Sequence, residues 1–400
     1  MLIKLNFMKN IIIYTVLILL DIFFVVDNTI VAKNSLLSQR DKKSYEISSV
    51  ENIRDTVSVN IKNSDNLRSL LANYKDIKTL KISGVLKPDD VLYIKELATN
   101  SKLINLDLKY ALPAALNWIY INNTNNDEYY DPKSYFNLSQ TNLVNVKLPE
   151  AMLSIPKGSF KNCINLKKVT FSKSLSSVGS EAFYGCCDLD SIYIENIKSI
   201  GFKAFYSCTD LRYLYLGENQ CSISSGNFIG WYTSISDKEL YIGESAFENC
   251  RSLSSVYIDN KVEINKNAFS NCDSLKFVCL PSVTSIGASS FQNCKQLKDV
   301  YLGRLIKEIG SHAFKDCNSL YRIGMLCGDK PKWYNVINGS NLNPFINTPK
   351  DKKIIIIKGR YNDWKEDTYC GAKNIVEVKT FFVRAANGVV IDGHYDIVFQ

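Results

Sequence analysis

The side chains in this 400-residue chain that could act as nucleophiles, bases or metal ligands are chiefly twelve cysteines and two histidines. Cysteine beside histidine is the pairing of a thiol nucleophile with its base, and His312 stands shortly before Cys317. His394, however, is remote from His312, and the chain has no zinc-ligand spacing, no phosphate-cradling glycine loop and no serine-nucleophile elbow. Cys317 is also one of a set in equivalent positions: Cys163, Cys186, Cys208, Cys250, Cys272, Cys294 and Cys317. One residue copied into equivalent surroundings is a structural part, not a reacting centre. No catalytic residue, metal site or cofactor is expected, and the chain reads as a non-enzyme.

What positions those cysteines is a repeat of about 22 residues, a period that means a solenoid. Phenylalanine stands three residues before each cysteine, and the series runs Phe160, Phe183, Phe205, Phe228, Phe247, Phe269, Phe291 and Phe314. Trp231 takes the cysteine place in the Phe228 unit, which also fails the leucine pattern over Tyr232 to Lys238 and is followed by a shortened step. That unit is expected either to rearrange the core around Trp231 or to throw a loop outward. A β-branched aliphatic precedes each phenylalanine by five residues, as at Ile155, Val178 and Ile264, and Gly179, Gly201, Gly243, Gly287 and Gly310 mark turns expected to need unusual φ. After the cysteine comes leucine with apolar residues at plus three and plus five, as in Leu253, Val256 and Ile258. The last two lie two apart and share one face of a short strand. The expected architecture is a solenoid of about ten parallel coils with one short strand per coil, neighbours ~4.8 Å apart, capped at both ends.

The phrase from Ser285 to Leu302, Ser-Ile-Gly-Ala-Ser-Ser-Phe-Gln-Asn-Cys-Lys-Gln-Leu-Lys-Asp-Val-Tyr-Leu, resembles the repeat of BspA-type leucine-rich repeat proteins. The resemblance implies a leucine-rich repeat scaffold of the kind found in exported, often surface-attached proteins of Bacteroidetes-like bacteria. It further implies attachment to host matrix proteins or to other cells.

The remainder divides around that array. Lys4 and Lys9 precede an apolar run from Ile11 to Val26, broken by Thr15 and Asp21, so residues 1–32 read as a signal peptide cleaved after Ala32, with Met8 an alternative start. An uncleaved anchor is the competing reading, disfavoured by Asp21. Residues 33–142 hold a polar leader, an N-terminal cap with the first repeat-type coils, a helix opened by Pro88-Asp89-Asp90, and an inserted loop between Lys109 and Thr141. The repeats occupy 143–326, a C-terminal cap 327–380, and a short β tail 381–400 with a hairpin signal at Asn387-Gly388, read either as a tail strand or as the first piece of a truncated further domain. Twelve cysteines in an exported protein invite disulfides. Parallel stacked side chains suit the crossed disulfide geometry poorly, so the ladder is expected to be buried thiols. Cys187, Cys221, Cys279, Cys327 and Cys370 lie outside its register, and a Cys327–Cys370 bridge is left open.

The net charge of +8 is dispersed, with no run of five basic residues, which argues against nucleic acid as partner. Membrane contact is expected only through export or surface attachment. The outward strand positions are more informative: Tyr193, Tyr213, Tyr215, Tyr257, Phe277 and Tyr301 make an aromatic column on the expected sheet. Such a column is either a ligand-binding face, since tyrosine combines area with a polar tip, or a stack that steadies the sheet. The expectation is a secreted or cell-surface, non-enzymatic binding protein, an adhesin or protein-recognition module. The alternative ligand is a glycan.

Overall fold

The computed structural model describes residues 50–53, 55–74, 76–113, 136–216, 236–258, 260–303, 305–325, 332–333 and 343–351, together with the backbone of strands 353–357, 374–378, 381–385 and 395–399. The signal region, Trp231, His394, Cys221, Cys327 and Cys370 lie outside the described residues.

Strand Val50–Ile53 folds back antiparallel on Thr56–Ile61. From there every principal strand is parallel to its neighbour: Thr79–Leu86, Asn105–Pro113, Asn145–Lys147 and Lys168–Thr170 complete one sheet. Ser191–Ile194, Tyr213–Leu216, Ser255–Ile258, Phe277–Leu280, Asp299–Leu302, Arg322–Met325, Lys353–Ile357 and Asn374–Val378 form the next. The solenoid is therefore present. It carries one feature more than expected, because the aliphatic residues five before each phenylalanine sit in a second parallel sheet, from Ser154–Ile155 to Lys332–Trp333. Each coil of the repeat region thus turns between two short strands.

The interior repeats coil by coil. Phe160, Phe183, Phe205, Phe247, Phe269, Phe291, Phe314 and Phe345 are buried and stack at centroid separations of 5.0 to 5.3 Å with near-parallel rings. Separations of this size suit offset aromatic stacking. Two expectations are corrected here. Phe205 stacks directly on Phe247, and the Phe205 N–H donates to the Ala246 carbonyl at 2.8 Å, so no coil of Phe228 intervenes. The irregular unit, residues 217–235, lies outside the described residues. The ladder also continues to Phe345, one coil past Phe314, and it begins earlier, with Phe136 edge-on to Phe160 at 5.8 Å. The expected insertion from Lys109 to Thr141 is accordingly narrower, since Leu138 and Gln140 N–H groups already bond the next coil at Ser159 and Lys161.

The cysteines complete the same turn. Each ladder thiol donates to a carbonyl one coil back: Cys186 to Phe160, Cys208 to Phe183, Cys250 to Phe205, Cys272 to Phe247, Cys294 to Phe269 and Cys317 to Phe291, at 3.1 to 3.4 Å, with Cys163 bonded to Leu138. A thiol engaged this way is protonated and small, and none of the described cysteines is paired in a disulfide. Burial pushes the Cys186, Cys208, Cys250, Cys272 and Cys317 thiols well above the ordinary range.

The turn glycines act differently from the expectation. Left-handed φ falls two residues before and two after each described ladder phenylalanine from Phe160 to Phe314, as at Asn267 and Asn271 or His312 and Asp316, where asparagine and aspartate tolerate it best. Gly179, Gly201, Gly243, Gly287 and Gly310 lack positive φ and are needed for space instead: a Cβ on Gly287 would lie 2.6 Å from the Asn265 carbonyl carbon of the coil below. Backbone meets backbone there.

At the N-terminal end, helices Leu67–Leu70 and Pro88–Asn100 bury Leu67, Val91, Ile94 and Ala98. Asp90, itself buried, ties them together by accepting from the Leu67 N–H at 3.0 Å and from the Lys87 N–H at 2.9 Å.

Two measurements follow from this packing. Gly287→Ala should lower the unfolding free energy by ~1–3 kcal/mol through overpacking, and Phe269→Ala by ~3–5 kcal/mol through the cavity it leaves, both read by urea denaturation; a neutral Gly287→Ala would refute the backbone contact. The second concerns pH. The unfolded thiols ionise near pH ~8.5 while Cys186, Cys208, Cys250, Cys272 and Cys317 keep their protons in the folded chain, so the stability they contribute is fully present below that pH and falls above it, by up to ~1.4 kcal/mol per pH unit per thiol. A Cys250→Ser/Cys272→Ser variant should therefore lose stability less steeply above pH ~9 than the parent. Equal slopes would contradict the raised thiols.

Candidate functional site

The outward positions of the principal strands are in register within each of the two principal sheets, and their chemistry differs between and along them. On the first strands the column is polar. The Asn105 Nδ2 donates to Thr79 Oγ1 at 3.1 Å, Asn145 Nδ2 donates to Asn105 Oδ1 at 2.8 Å, and Lys147 pairs with Asp107 at 2.8 Å. These side chains are joined into ladders by the strand spacing and are exposed enough to be solvated.

The tyrosine row begins with the second principal sheet. Strand pairing aligns Tyr193, Tyr215 and Tyr257 as direct neighbours, with Ser191, Tyr213 and Ser255 in the flanking column. The Tyr193 and Tyr215 rings stack at 5.0 Å with an interplanar angle of 16°. Their faces are therefore turned toward each other along the solenoid axis, and what the row presents outward is ring edges and phenol tips. Tyr193 is exposed; Tyr213, Tyr215 and Tyr257 are half-buried. The Tyr193 hydroxyl reaches the Glu195 carboxylate at 3.4 Å, and partial burial first, then that carboxylate, hold its pKa above the ordinary phenol value, so it stays a donor.

Beyond Tyr257 the expectation fails. Phe277 and Tyr301 occupy the predicted register positions, yet both are buried, as is Cys279 between them. They are not part of an open face, and alternation along a strand could not reveal this, because it shows which side a residue takes and not what lies on that side. Asp299 and Arg322 share this covered stretch and make a bidentate pair, Nε to Oδ1 at 2.5 Å and Nη2 to Oδ2 at 3.0 Å. The six candidate residues thus separate into an open group of four, Tyr193, Tyr213, Tyr215 and Tyr257, and a closed pair, Phe277 and Tyr301.

A second aromatic cluster was not anticipated. Tyr184 and Tyr206 follow their ladder phenylalanines by one residue and stack at 5.0 Å on the flank of the coils, with Lys161 over Tyr184 at 5.1 Å and Lys203 over Tyr206 at 5.3 Å. The repeat alignment contained that signal, since both tyrosines hold the same place in consecutive units. Their charge partners, such as Glu181 to Lys161 at 2.7 Å, already satisfy them.

As for chemistry, the Cys317 thiol is buried, bonded to a carbonyl and held protonated, so it does not form a nucleophilic pair with His312. Among the described residues no group of three or more His, Cys, Asp or Glu could hold a metal ion, and no helix is long and apolar enough to cross a membrane.

Comparison with known proteins accords with the repeat geometry. No curated protein matches the chain in sequence. Similar solved structures include a leucine-rich repeat protein of T. pallidum, 18% identical over 64% of this chain and 90% of that one, with a TM-score of 0.34. A leucine-rich repeat protein of Bacteroides ovatus is 17% identical over 84% of this chain and 100% of that one, TM-score 0.30. A leucine rich cell surface protein of Faecalibacterium prausnitzii is 16% identical over 83% and 94%, TM-score 0.30. The BspA type leucine rich repeat region matches residues 132–240 and 231–327, in six copies. With its phenylalanine, cysteine and leucine ladders in that register, the chain belongs to the BspA-type leucine-rich repeat proteins.

Proposed function

We propose that this protein is an exported, non-enzymatic recognition module that binds an extracellular protein through the open tyrosine row. The observation that carries this is the geometry of Tyr193 and Tyr215, which turn one ring face each toward the other and so leave mainly edges and hydroxyls outward. Sugar recognition by aromatic residues uses ring faces laid flat under the pyranose; a row that offers edges and phenol donors suits the mixed apolar and hydrogen-bonding surface of a protein instead. The polar ladders of the first strands, Asn105 with Asn145 and Asp107 with Lys147, extend the same surface with adaptable partners. A leucine-rich repeat scaffold suits this use, because stacked coils make a long surface from short units. Family membership and the basic-then-apolar N-terminus together favour a secreted or cell-surface site of action and an adhesin-like role, with attachment to host matrix proteins or to other cells.

Two experiments test this reading. An array carrying matrix proteins and glycans should yield a saturable protein ligand, and Tyr193→Ser/Tyr215→Ser/Tyr257→Ser should weaken it by roughly tenfold per tyrosine, or ~1–2 kcal/mol each, without lowering the melting temperature. The corresponding triple Phe variant should also lose affinity, since the phenol tips are gone. Retained oligosaccharide binding in the Phe variant, with no protein ligand found, would replace the proposal by glycan capture. Separately, cell fractionation with N-terminal sequencing should recover a mature chain starting near Lys33 outside the cytoplasm; an intact N-terminus in the cytosol would overturn export.

A further inference from the structure

The outward column of the principal sheet is open at one end and closed at the other. Tyr193 is 44% exposed, whereas Phe277 is 3%, Cys279 0% and Tyr301 3% exposed, although strand pairing places Cys279 and Tyr301 in the same register column as Tyr193. An outward residue on a bare sheet meets water, so the later strands are overlaid by another part of the chain. The same column continues through Gly324 to Ile355 and Val376, so from Cys279 onward it contains no charged residue. The flanking column runs from Phe277 to Asp299 and Arg322, which pair with each other, and the apolar row beside that ion pair needs a cover.

The chain supplies one at the right place. Phe381–Ala385 and Tyr395–Phe399 pair as an antiparallel hairpin that starts just after the last array strand, Asn374–Val378. Their register puts Phe381, Val383, Ala385, Tyr395, Ile397 and Phe399 on one face, without a charged residue, while the other carries Phe382 opposite Val398 and Arg384 opposite Asp396. The expected turn at Asn387-Gly388 lies outside the described residues. An isolated two-stranded hairpin is marginal in water, so its apolar face must lie on something. The distances agree: four strand spacings of ~4.8 Å separate Asn374–Val378 from Phe277–Leu280, about 19 Å, and a five-residue strand spans ~17 Å.

We infer that the C-terminal hairpin, Phe381 to Phe399, folds back as a strap over the outward face of the strands from Phe277 to Met325. The strap ends the accessible surface near Tyr257 and keeps Phe277 and Tyr301 from any partner while it is in place. It is a contact of the chain with itself and does not depend on which ligand the open row takes.

Cys279 reports on the strap, because it is the cysteine on the covered face, while the ladder thiols report on the core. In the full chain Cys279 should resist a maleimide. In a chain ending at Thr380, peptide mapping by mass spectrometry should show Cys279 labelled at least about tenfold faster, with Cys250, Cys272 and Cys294 still protected. If the truncated chain unfolds, ladder cysteines label as well, and Val383→Asp/Ile397→Asp in the full chain decides: selective exposure of Cys279 supports the strap. Continued protection of Cys279 in these variants overturns it. So does exposure of Cys279 when residues 217–235 are replaced by a short linker, since another segment would then be the cover. Labelling of every ladder cysteine in the double variant also counts against it, because a strap laid over a finished array is not required for the array to stand.

Discussion

Coils held ~4.8 Å apart by backbone hydrogen bonds leave no room for a side chain to differ from the one above it. That spacing is the constraint on which the other features depend. A phenylalanine in one layer meets a phenylalanine in the next at 5.0 to 5.3 Å, and a change of size in any layer leaves a void or a clash for both neighbours. The glycine before the turn answers the same constraint from the backbone side, since a Cβ at Gly201 would stand 2.6 Å from the Ser180 nitrogen. Cysteine answers it with a donor. The Phe291 carbonyl accepts from the Cys294 N–H of its own turn and from the Cys317 thiol of the next, so a small apolar side chain also fills a hydrogen-bonding place inside the core.

A stack of this kind has no internal reason to stop, and its ends show what replaces the missing neighbour. At the start, two helices held by the Asp90 carboxylate lay their apolar sides over the first coils, and the antiparallel strand Val50–Ile53 closes the sheet edge. Within the array a unit can be left out without loss of register, provided the coils on either side still match. Phe205 on Phe247 is that case: the interior resumes its spacing across a long excursion, because stacking depends on the residues in the layer and not on the length of chain between layers.

The outer face obeys a weaker rule, and there the chain varies. Strand spacing still forms ladders, but solvent tolerates many side chains, so amide ladders and an ion pair on the first principal sheet give way to tyrosines and a covered apolar stretch on the second. Where Tyr193 stacks on Tyr215, the contact that orders the rings leaves their phenol groups outward. Stacking decides how the rings are turned. That orientation in turn decides which ligands they suit.

The amino-acid sequence by itself determined the period, the parallel solenoid, the identity of the core positions and the structural character of the cysteines, because each is a local pattern that one layer imposes on the next. Phe269, Cys272, Leu275 and Val278 are buried as their spacing requires. It also located the helix from Pro88 and the first coils. Only the tertiary structure decided what depends on contacts between distant segments. Phe228 matched the repeat in sequence, yet the stack passes from Phe205 to Phe247; Phe345 did not match, yet it stacks on Phe314. Glycine was legible as a turn residue, but whether it served φ or clearance depended on the neighbouring coil. Tyr301 and Tyr193 hold equivalent positions and differ in exposure because one is overlaid and the other is not. A repeat specifies the layer beneath a residue, whereas what lies across its outer face is set by long-range folding.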